Sequence, residues 1–167
     1  RRSDVRLLLM GAVLNNNASG QDGDPMETAL FNMAREAGLI PEQVRLQSPR
    51  KGEIPFDSRR KLMTTVNEIE GHDIVFVKGA VDVLLKKCTR LANPAAGQGT
   101  GLAGQRPGES GQRPEAAIPC RTLSSSDRQR ILDQNSRWSA RGLRVLAFAC
   151  RPFNEEGKEH GNSGLAG

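Results

Sequence analysis

The sequence predicts an α+β fold, in which helices pack on an antiparallel sheet. Strands are indicated by residues 61–69, which alternate between two faces, and by residues 74–77, which form a continuous apolar run. Only a turn at residues 70–73 separates these segments, which favours an antiparallel hairpin. Helices are indicated by apolar residues at helical spacing on both sides of the hairpin.

Two helices are predicted before the hairpin. The first is capped by Asp4 and carries an apolar stripe of Val5, Leu8, Leu9, Ala12 and Val13. A polar loop follows at residues 15–23. The second helix has Asp24 as its N-cap, Pro25 in its first turn and Glu27 at its third position, and Gly38 ends it. Its predicted buried face consists of Met26, Leu30, Met33, Ala34 and Ala37.

The remaining elements follow the same patterns. The chain is predicted to be extended from Val44 onward, and Gly79 ends the second hairpin strand. A short helix follows, with an apolar face of Val81, Leu84, Leu85 and Cys88. A last helix is capped near Ser125 or Ser126 and stops at Gly142, and residues 143–150 are predicted to form the final strand.

One domain of residues 1–153 is expected, with a polar tail or linker at residues 154–167. Residues 93–119 are rich in Gly, Pro and Gln and repeat Gly-Gln-Arg-Pro, so they are predicted to form a flexible surface insertion at an edge of the sheet. Apolar residues make up 37% and charged residues 26% of the chain, which is typical of a globular domain. No apolar stretch is long enough to span a bilayer, and no signal peptide is expected.

The charge and the cysteines bound the classes of partner. A net charge of +5 favours an anionic partner such as a nucleotide, a nucleic acid or a lipid headgroup. The three cysteines have neither metal-ligand spacing nor a disulfide pattern, so reduced thiols and no metal site are predicted. Residues 99–104 match the dinucleotide fingerprint, but they lie inside the insertion without a preceding strand, and we reject that motif.

Four other segments carry the functional prediction. They are Gly23-Asp24-Pro25-Met26-Glu27-Thr28-Ala29-Leu30, Pro55-Phe56-Asp57-Ser58-Arg59-Arg60-Lys61-Leu62-Met63, Val77-Lys78-Gly79-Ala80 and Arg141-Gly142-Leu143-Arg144-Val145-Leu146-Ala147. Each has a purely structural alternative, such as a capping box at Glu27, a core position at Phe56 or an outward strand residue at Arg144. Together and in this order, they resemble the nucleotide-binding domain of P-type cation-transporting ATPases, with most similarity to the type II pumps.

The resemblance implies an ATP site and a role for each matching residue. Phe56 would stack on adenine, Lys78 would lie at the inner end of the pocket, and Glu27 would accept a hydrogen bond from the adenine amino group. Gly79 and Ala80 would allow close approach of the ligand to the backbone. Lys61 and Arg144 would meet the phosphates and ribose, and Ser58 would contact phosphate weakly or through water. The implied set is completed by Asp24 of the first motif and by Met63 and Leu146 on the apolar wall.

The resemblance also implies the surroundings of the domain. It predicts a sheet of about six or seven strands and a place on the cytoplasmic face of a membrane, in a chain with phosphorylation, actuator and transmembrane domains. The family's Asp-Lys-Thr-Gly-Thr phosphorylation motif does not occur here, so no catalytic residue is assigned. The fragment, expected to be monomeric, should bind ATP without hydrolysing it, with Mg²⁺ held mainly by the phosphorylation domain. Val81 and Asp82 replace the family's usual Pro-Glu after Ala80.

Two other functions remain open at this stage. A basic nucleic-acid-binding domain would use residues 59–61 and the arginines of the insertion, although the resemblance argues against nucleic acid. A structural or regulatory module would keep the fold with a decayed nucleotide pocket. The transported cation is not indicated, because membrane helices select ions.

Overall fold

The computed structural model describes residues 3–19, 23–92 and 120–153. Within these ranges the chain forms five helices and six strands, in the order α1 (Ser3–Leu14), α2 (Pro25–Glu36), α3 (Pro41–Gln47), β1 (Arg50–Asp57), β2 (Leu62–Ile69), β3 (His72–Gly79), α4 (Val81–Lys87), β4 (Arg90–Ala92), β5 (Cys120–Thr122), α5 (Ser125–Ala140) and β6 (Ala147–Pro152). The predicted insertion and tail lie outside the described residues.

The α+β class is confirmed, and the strands are divided between two sheets. Four antiparallel strands form the main sheet in the order β1-β2-β3-β6, and β4 pairs with β5 in a separate two-stranded sheet. The predicted hairpin is β2–β3, in which Ile69 pairs with His72. Glu70 and Gly71 both have positive φ, at 51° and 79°, which matches the two-residue turn that follows the twist of a hairpin. The turn is therefore shorter than predicted.

Helix α1 covers one face of the main sheet and also packs against α2. Leu14 lies in a cluster with Ile74 and Phe76 of β3, and Leu9 and Val13 lie in a second cluster with Phe31 of α2. Because α1 is buried on these two sides, the predicted stripe is only half right: Val5 and Leu8 are both 43% exposed. The prediction that Asp4 caps the helix is wrong, since α1 already includes Ser3.

Helix α2 begins and ends as predicted. The side chain of Asp24 accepts a hydrogen bond from the Met26 backbone amide at 2.9 Å. Gly38 has φ 88° and donates to Arg35, and Leu39 donates to Ala34, which together form a Schellman motif. The buried face was partly wrong, because Phe31 is buried whereas Met33 is 37% exposed. Phe31 is drawn inward by its contacts with α1 and with the Arg45 guanidinium, which lies 4.4 Å from the centre of its ring.

The prediction of extended structure from Val44 is wrong for residues 44–47, which belong to α3 (Pro41–Gln47). Pro41 occupies the first turn with Glu42, and Arg45 lies in the last turn, an arrangement that suits the helix dipole. Val44 packs against both apolar clusters. A helix so short is stabilised mainly by such tertiary contacts, which periodicity over one or two turns does not reveal.

The other side of the main sheet is covered by α4, which contacts α5 in turn. Ser124 caps α5 one residue earlier than predicted, and its side chain forms a capping box with Asp127. The Arg128 guanidinium donates to the backbone carbonyls of Leu85 and Cys88 and so fastens α5 to the end of α4. Gly142, with φ 75°, follows α5 as predicted, but the last strand begins only at Ala147, not at residue 143.

Candidate functional site

The strand register brings the predicted motifs to one end of the main sheet. Asp57 pairs with Leu62, Leu62 with Gly79, and Gly79 with Ala147, so one row of residues crosses all four strands. Each residue of this row adjoins predicted site residues along the chain: Phe56 and Ser58 flank Asp57, Lys61 precedes Leu62, Lys78 and Ala80 flank Gly79, and Leu146 precedes Ala147. Three motifs that are distant in sequence therefore meet at this end.

The fourth motif reaches the site through Glu27 of α2. One carboxylate oxygen of Glu27 lies 2.6 Å from the Lys78 ammonium nitrogen. The two side chains are only 15% and 5% exposed. The Glu27 carboxylate does not close a capping box in the structure, because its other oxygen accepts a hydrogen bond from the Asn17 backbone amide at 3.2 Å. The structure therefore contradicts the capping-box alternative for Glu27, whose carboxylate forms a nearly buried ion pair with Lys78.

A polar network beside this ion pair was not predicted. The side-chain amide of Asn17 donates a hydrogen bond to the Glu53 carboxylate at 2.8 Å, and the Arg50 guanidinium contacts the side chains of both Asn17 and Glu53. The hydrogen bond from Asn17 and the interactions with Arg50 hold the pKa of Glu53 below its usual range, and the charge of Lys78 contributes to this shift. Glu53 is therefore a second carboxylate whose charge acts on Lys78.

The start of the loop that carries Asn17 is held by buried contacts. Asn15 and Asn16, the first residues of the predicted polar loop, are fully buried. The Asn15 amide donates to the carbonyls of Met63 and Phe76 at 3.1 and 2.7 Å, so it fastens the end of α1 to β2 and β3. The only signal in the sequence was the run of three asparagines after a helix, since asparagine often bonds to nearby backbone.

Arg45 of α3 holds the same loop from the other side. Its guanidinium donates to the carbonyls of Val13, Asn16 and Ala18, at 3.3, 2.5 and 2.8 Å. Burial is the largest cause that lowers the pKa of Arg45, and the neighbouring Arg50 adds to it. Both arginines lie at the C-terminus of α1, where positive charge is favourable.

Gly79 is required by a close approach within the chain itself. A Cβ built on Gly79 would lie 2.1 Å from the Lys61 carbonyl oxygen and 2.7 Å from a Leu62 methyl carbon. The same Lys61 carbonyl accepts a hydrogen bond from the Ala80 amide at 3.1 Å, and Lys61 has φ 57°. The space beside Gly79 is thus filled by the β1–β2 turn, so this backbone contact accounts for the glycine.

The other predicted residues differ in their exposure. Phe56 is 60% exposed, which is unusual for a phenylalanine and contradicts the core alternative. Met63 is 2% exposed and lies directly opposite Lys78 on β2. Ser58, Lys61 and Arg144 are exposed, and Leu146 is half-buried. Asp24 is exposed, and its side chain accepts a hydrogen bond from the Met26 amide of its own helix.

Residues 3–19, 23–92 and 120–153 contain no group of three His, Cys, Asp or Glu side chains arranged to hold a metal ion. Over the same ranges, no helix has the length and the apolar character needed to cross a bilayer.

Known proteins match this chain over most of its length. The family model described as P-type ATPase, cytoplasmic domain N, matches residues 4–105. Calcium-transporting ATPase 1 of Lactococcus lactis subsp. lactis is 32% identical over 163 residues, which cover 95% of this chain and 16% of that protein. Calcium-transporting ATPase 1 of Bacillus cereus is 31% identical over 153 residues, covering 89% of this chain and 15% of that protein.

A third relative carries a broader name. The probable cation-transporting ATPase F of Mycobacterium tuberculosis is 31% identical over 147 residues, covering 84% of this chain and 14% of that protein. The chain therefore belongs to the P-type ATPase family, and the part of the family that it matches is cytoplasmic domain N. It spans about a sixth of the length of the first relative.

Proposed function

We propose that this domain binds ATP at the motif-bearing end of the main sheet and holds it for phosphoryl transfer to an aspartate in another domain of a cation pump. The observation that carries the proposal is the row Asp57, Leu62, Gly79 and Ala147, which gathers three motifs beside the Glu27–Lys78 pair. An exposed aromatic ring therefore lies at the same end of the sheet as a nearly buried ammonium group.

The side chains suit the parts of ATP in the order implied by the family. Phe56 offers an exposed ring for stacking on adenine. Glu27 uses one hydrogen bond on each carboxylate oxygen, so lone pairs remain for the adenine amino group. Lys61 and Arg144 are exposed cations with no acidic partner within hydrogen-bond distance among the described side chains, and they would meet phosphate and ribose.

The remaining assignments form the walls and edges of the proposed site. Met63 and Leu146 supply apolar surface, Gly79 and Ala80 supply backbone at the inner corner, and Ser58 contacts phosphate weakly or through water. Asp24 acts through the helix that it caps, because it fixes the first turn of α2 from which Glu27 projects. Mg²⁺ would be held mainly by the phosphorylation domain, so the phosphates of bound ATP would point out of this domain toward the phosphorylation domain.

The parent protein is proposed to be an ATP-driven cation pump of the type II group, with this domain on the cytoplasmic face of its membrane. Support comes from the relatives, two of which are named calcium-transporting ATPases. Calcium is thus one candidate for the cation. The actuator, phosphorylation and transmembrane domains of the parent would be the partners of this domain, and the isolated chain is proposed to be a monomer that does not hydrolyse ATP.

The test is a titration of the isotope-labelled chain with ATP, followed by the shifts of its amide NMR signals. Signals around Glu27, Phe56 and Lys78 should move and saturate. Phe56→Ala should weaken binding about five- to 150-fold, because base–aromatic stacking contributes about 1–3 kcal/mol. Leu46→Ala is the matched control, since Leu46 is 83% exposed and belongs to none of the motifs.

Three outcomes would contradict the proposal. Equal losses in the Phe56 and Leu46 variants would mean that the ring does not contact the base. The nucleic-acid-binding alternative would be favoured if only the amide signals of basic residues shifted. An oligonucleotide would then produce the same shifts, and added salt would reduce them steeply. Absence of any shift with ATP would favour a structural or regulatory module with a decayed pocket.

A further inference from the structure

An apolar cavity lies on the face of the main sheet opposite Lys78. Its volume is about 400 Å³, and its floor is formed by Val75 and Val77 of β3 and by Ala147 and Ala149 of β6. Val77 and Lys78 are neighbours in one strand, so their side chains point to opposite faces. The cavity is therefore separated from the proposed ATP site by the thickness of the sheet.

The walls of this cavity are apolar. Val81 and Leu84 of α4, Leu123 before α5 and Ile131 of α5 close it opposite the sheet. Cys88 also lines it, and burial raises the pKa of its thiol. The Cys88 thiol is therefore neutral at physiological pH and acts as polarisable apolar surface. Apolar cavities smaller than this one bind small hydrocarbons, and the volume falls in the range of ligand pockets.

The charged residues at the cavity all have the same sign. Lys87, Arg90 and Arg151 line it and are exposed, which places them on its solvent side, whereas Val75, Val81, Leu84 and Leu123 are buried. None of the lining residues is Asp or Glu. Such a rim favours an anion at the mouth of the cavity, because a negative charge there would offset the mutual repulsion of the cations.

We propose that this cavity binds an amphipathic anion, a molecule with an apolar tail and a carboxylate head of the fatty-acid class. The tail enters between the sheet and α4, and the carboxylate stays at the mouth beside Lys87 and Arg90. A neutral apolar molecule would give Lys87 and Arg90 no anionic partner, and a nucleotide would place a polar base and ribose among valine and leucine side chains. The site is independent of the proposed ATP site.

The probe is laurate below its micelle concentration, with dodecanol as the comparison that keeps the tail and removes the charge. Binding is measured by titration calorimetry and by protection of Cys88 from alkylation. Laurate should bind and protect Cys88, and it should bind several-fold more tightly than dodecanol, by an amount that shrinks as salt is added.

Two variants test separately how the carboxylate head and the alkyl tail contribute to binding. Lys87→Glu combined with Arg90→Glu should weaken laurate about tenfold or more and leave dodecanol unchanged, because it replaces attraction at the mouth with repulsion. Lys86→Glu, an exposed change on the same helix outside the lining, is the matched control. Ala149→Phe should abolish binding of both probes by filling the cavity, in a protein shown by its melting curve to be folded.

Several results would overturn the proposal. These are no laurate binding, equal affinity for laurate and dodecanol, or equal losses in the Lys86 variant and the rim variant. Competition between laurate and ATP would also overturn it, since it would place the probe in the other site. The rim variant changes only exposed side chains, so the test does not depend on the folding of the cavity-filling variant.

Discussion

Lys78 holds a charge where water is nearly excluded, because its side chain is 5% exposed and its ammonium contacts the Glu27 carboxylate. Burying either charge alone is costly, and the mutual attraction offsets that cost only while both partners are present. The two residues are 51 positions apart, so their contact also fixes α2 against β3. The same pair that would serve ATP binding is therefore a constraint on the fold.

Removing one partner of this pair should destabilise the domain more than removing both. Glu27→Ala leaves the Lys78 charge buried without its carboxylate and should lower the free energy of unfolding by about 3 kcal/mol. The double variant Glu27→Ala with Lys78→Met should recover part of that loss. Urea denaturation of the two single variants and the double variant measures the coupling. Strictly additive losses would mean that the two charges do not interact.

At the scale of the elements, the corner between β3 and α4 depends on how closely the backbone passes the β1–β2 turn. Gly79→Ala should lower the free energy of unfolding by about 1–3 kcal/mol, because the new methyl group would meet the Lys61 carbonyl. Gly52→Ala is the matched control on β1, where the nearest atom to a Cβ lies 3.8 Å away. The decrease in melting temperature relative to the wild type measures the destabilisation of each variant. Similar effects of both changes would show that the corner has room to adjust.

The start of α5 depends on a carboxylate that must be charged. Asp127 is 4% exposed and accepts hydrogen bonds from Arg121, Arg130 and Ser124. The bonds from Arg121 and then from Ser124 hold the pKa of Asp127 well below its usual range. A depressed pKa in the folded state stabilises the fold above the ordinary aspartate pKa of about 3.9, and this contribution is lost as the pH falls through the folded-state value.

The domain should therefore lose stability in acid partly through Asp127. In Asp127→Asn, the free energy of unfolding should be lower at neutral pH, and it should fall less than that of the wild type as the pH drops below about 4. Urea midpoints at a series of pH values measure the difference. Asp133→Asn is the control on the same helix, because Asp133 is exposed and accepts a hydrogen bond from the exposed Gln129 side chain, without an arginine partner among the described residues. Parallel curves for wild type and the Asp127 variant would contradict the assignment.

At the scale of the whole molecule, the two faces of the main sheet are covered by different helices. Helices α1, α2 and α3 and the loop of residues 15–19 lie on the side of the proposed ATP site, whereas α4, α5 and the apolar cavity lie on the other. The small sheet of β4 and β5 closes the chain between α4 and α5, with Ala92 paired to Cys120. Paired residues of antiparallel strands have Cα atoms about 5 Å apart, a gap that two residues can close.

Residues 93–119 should therefore be replaceable by Asn-Gly without loss of the fold. The melting temperature should stay the same or rise slightly, because a shorter loop costs less closure entropy. The ATP-dependent NMR shifts around Phe56 and Lys78 should also be retained, which tests the proposed single domain of residues 1–153. A loss of cooperative unfolding in this variant would mean that the replaced segment contributes to the core.

Local features were predictable because their causes are local. The Asp24 cap, the positive φ of Gly38 and Gly142, and the hairpin at Glu70-Gly71 each depend on residues within a few positions. Features that depend on distant partners were missed. Helix α3 needs its contacts with two clusters, and the burial of Asn15 depends on carbonyls 48 and 61 residues away. Such partners leave no periodic trace in a single sequence.

The sequence by itself determined the class of fold, both ends of α2 and, through four ordered motifs, the family to which the chain belongs. Only the tertiary structure decided that Glu27 pairs with Lys78 instead of capping its own helix, that Gly79 serves the Lys61 carbonyl, and that a cation-rimmed cavity lies behind the proposed ATP site. The physical reason is the separation along the sequence between the residues that interact. Turns and caps are set by neighbouring residues, whereas ion pairs, close backbone contacts and cavities arise where the register of the strands brings distant residues together.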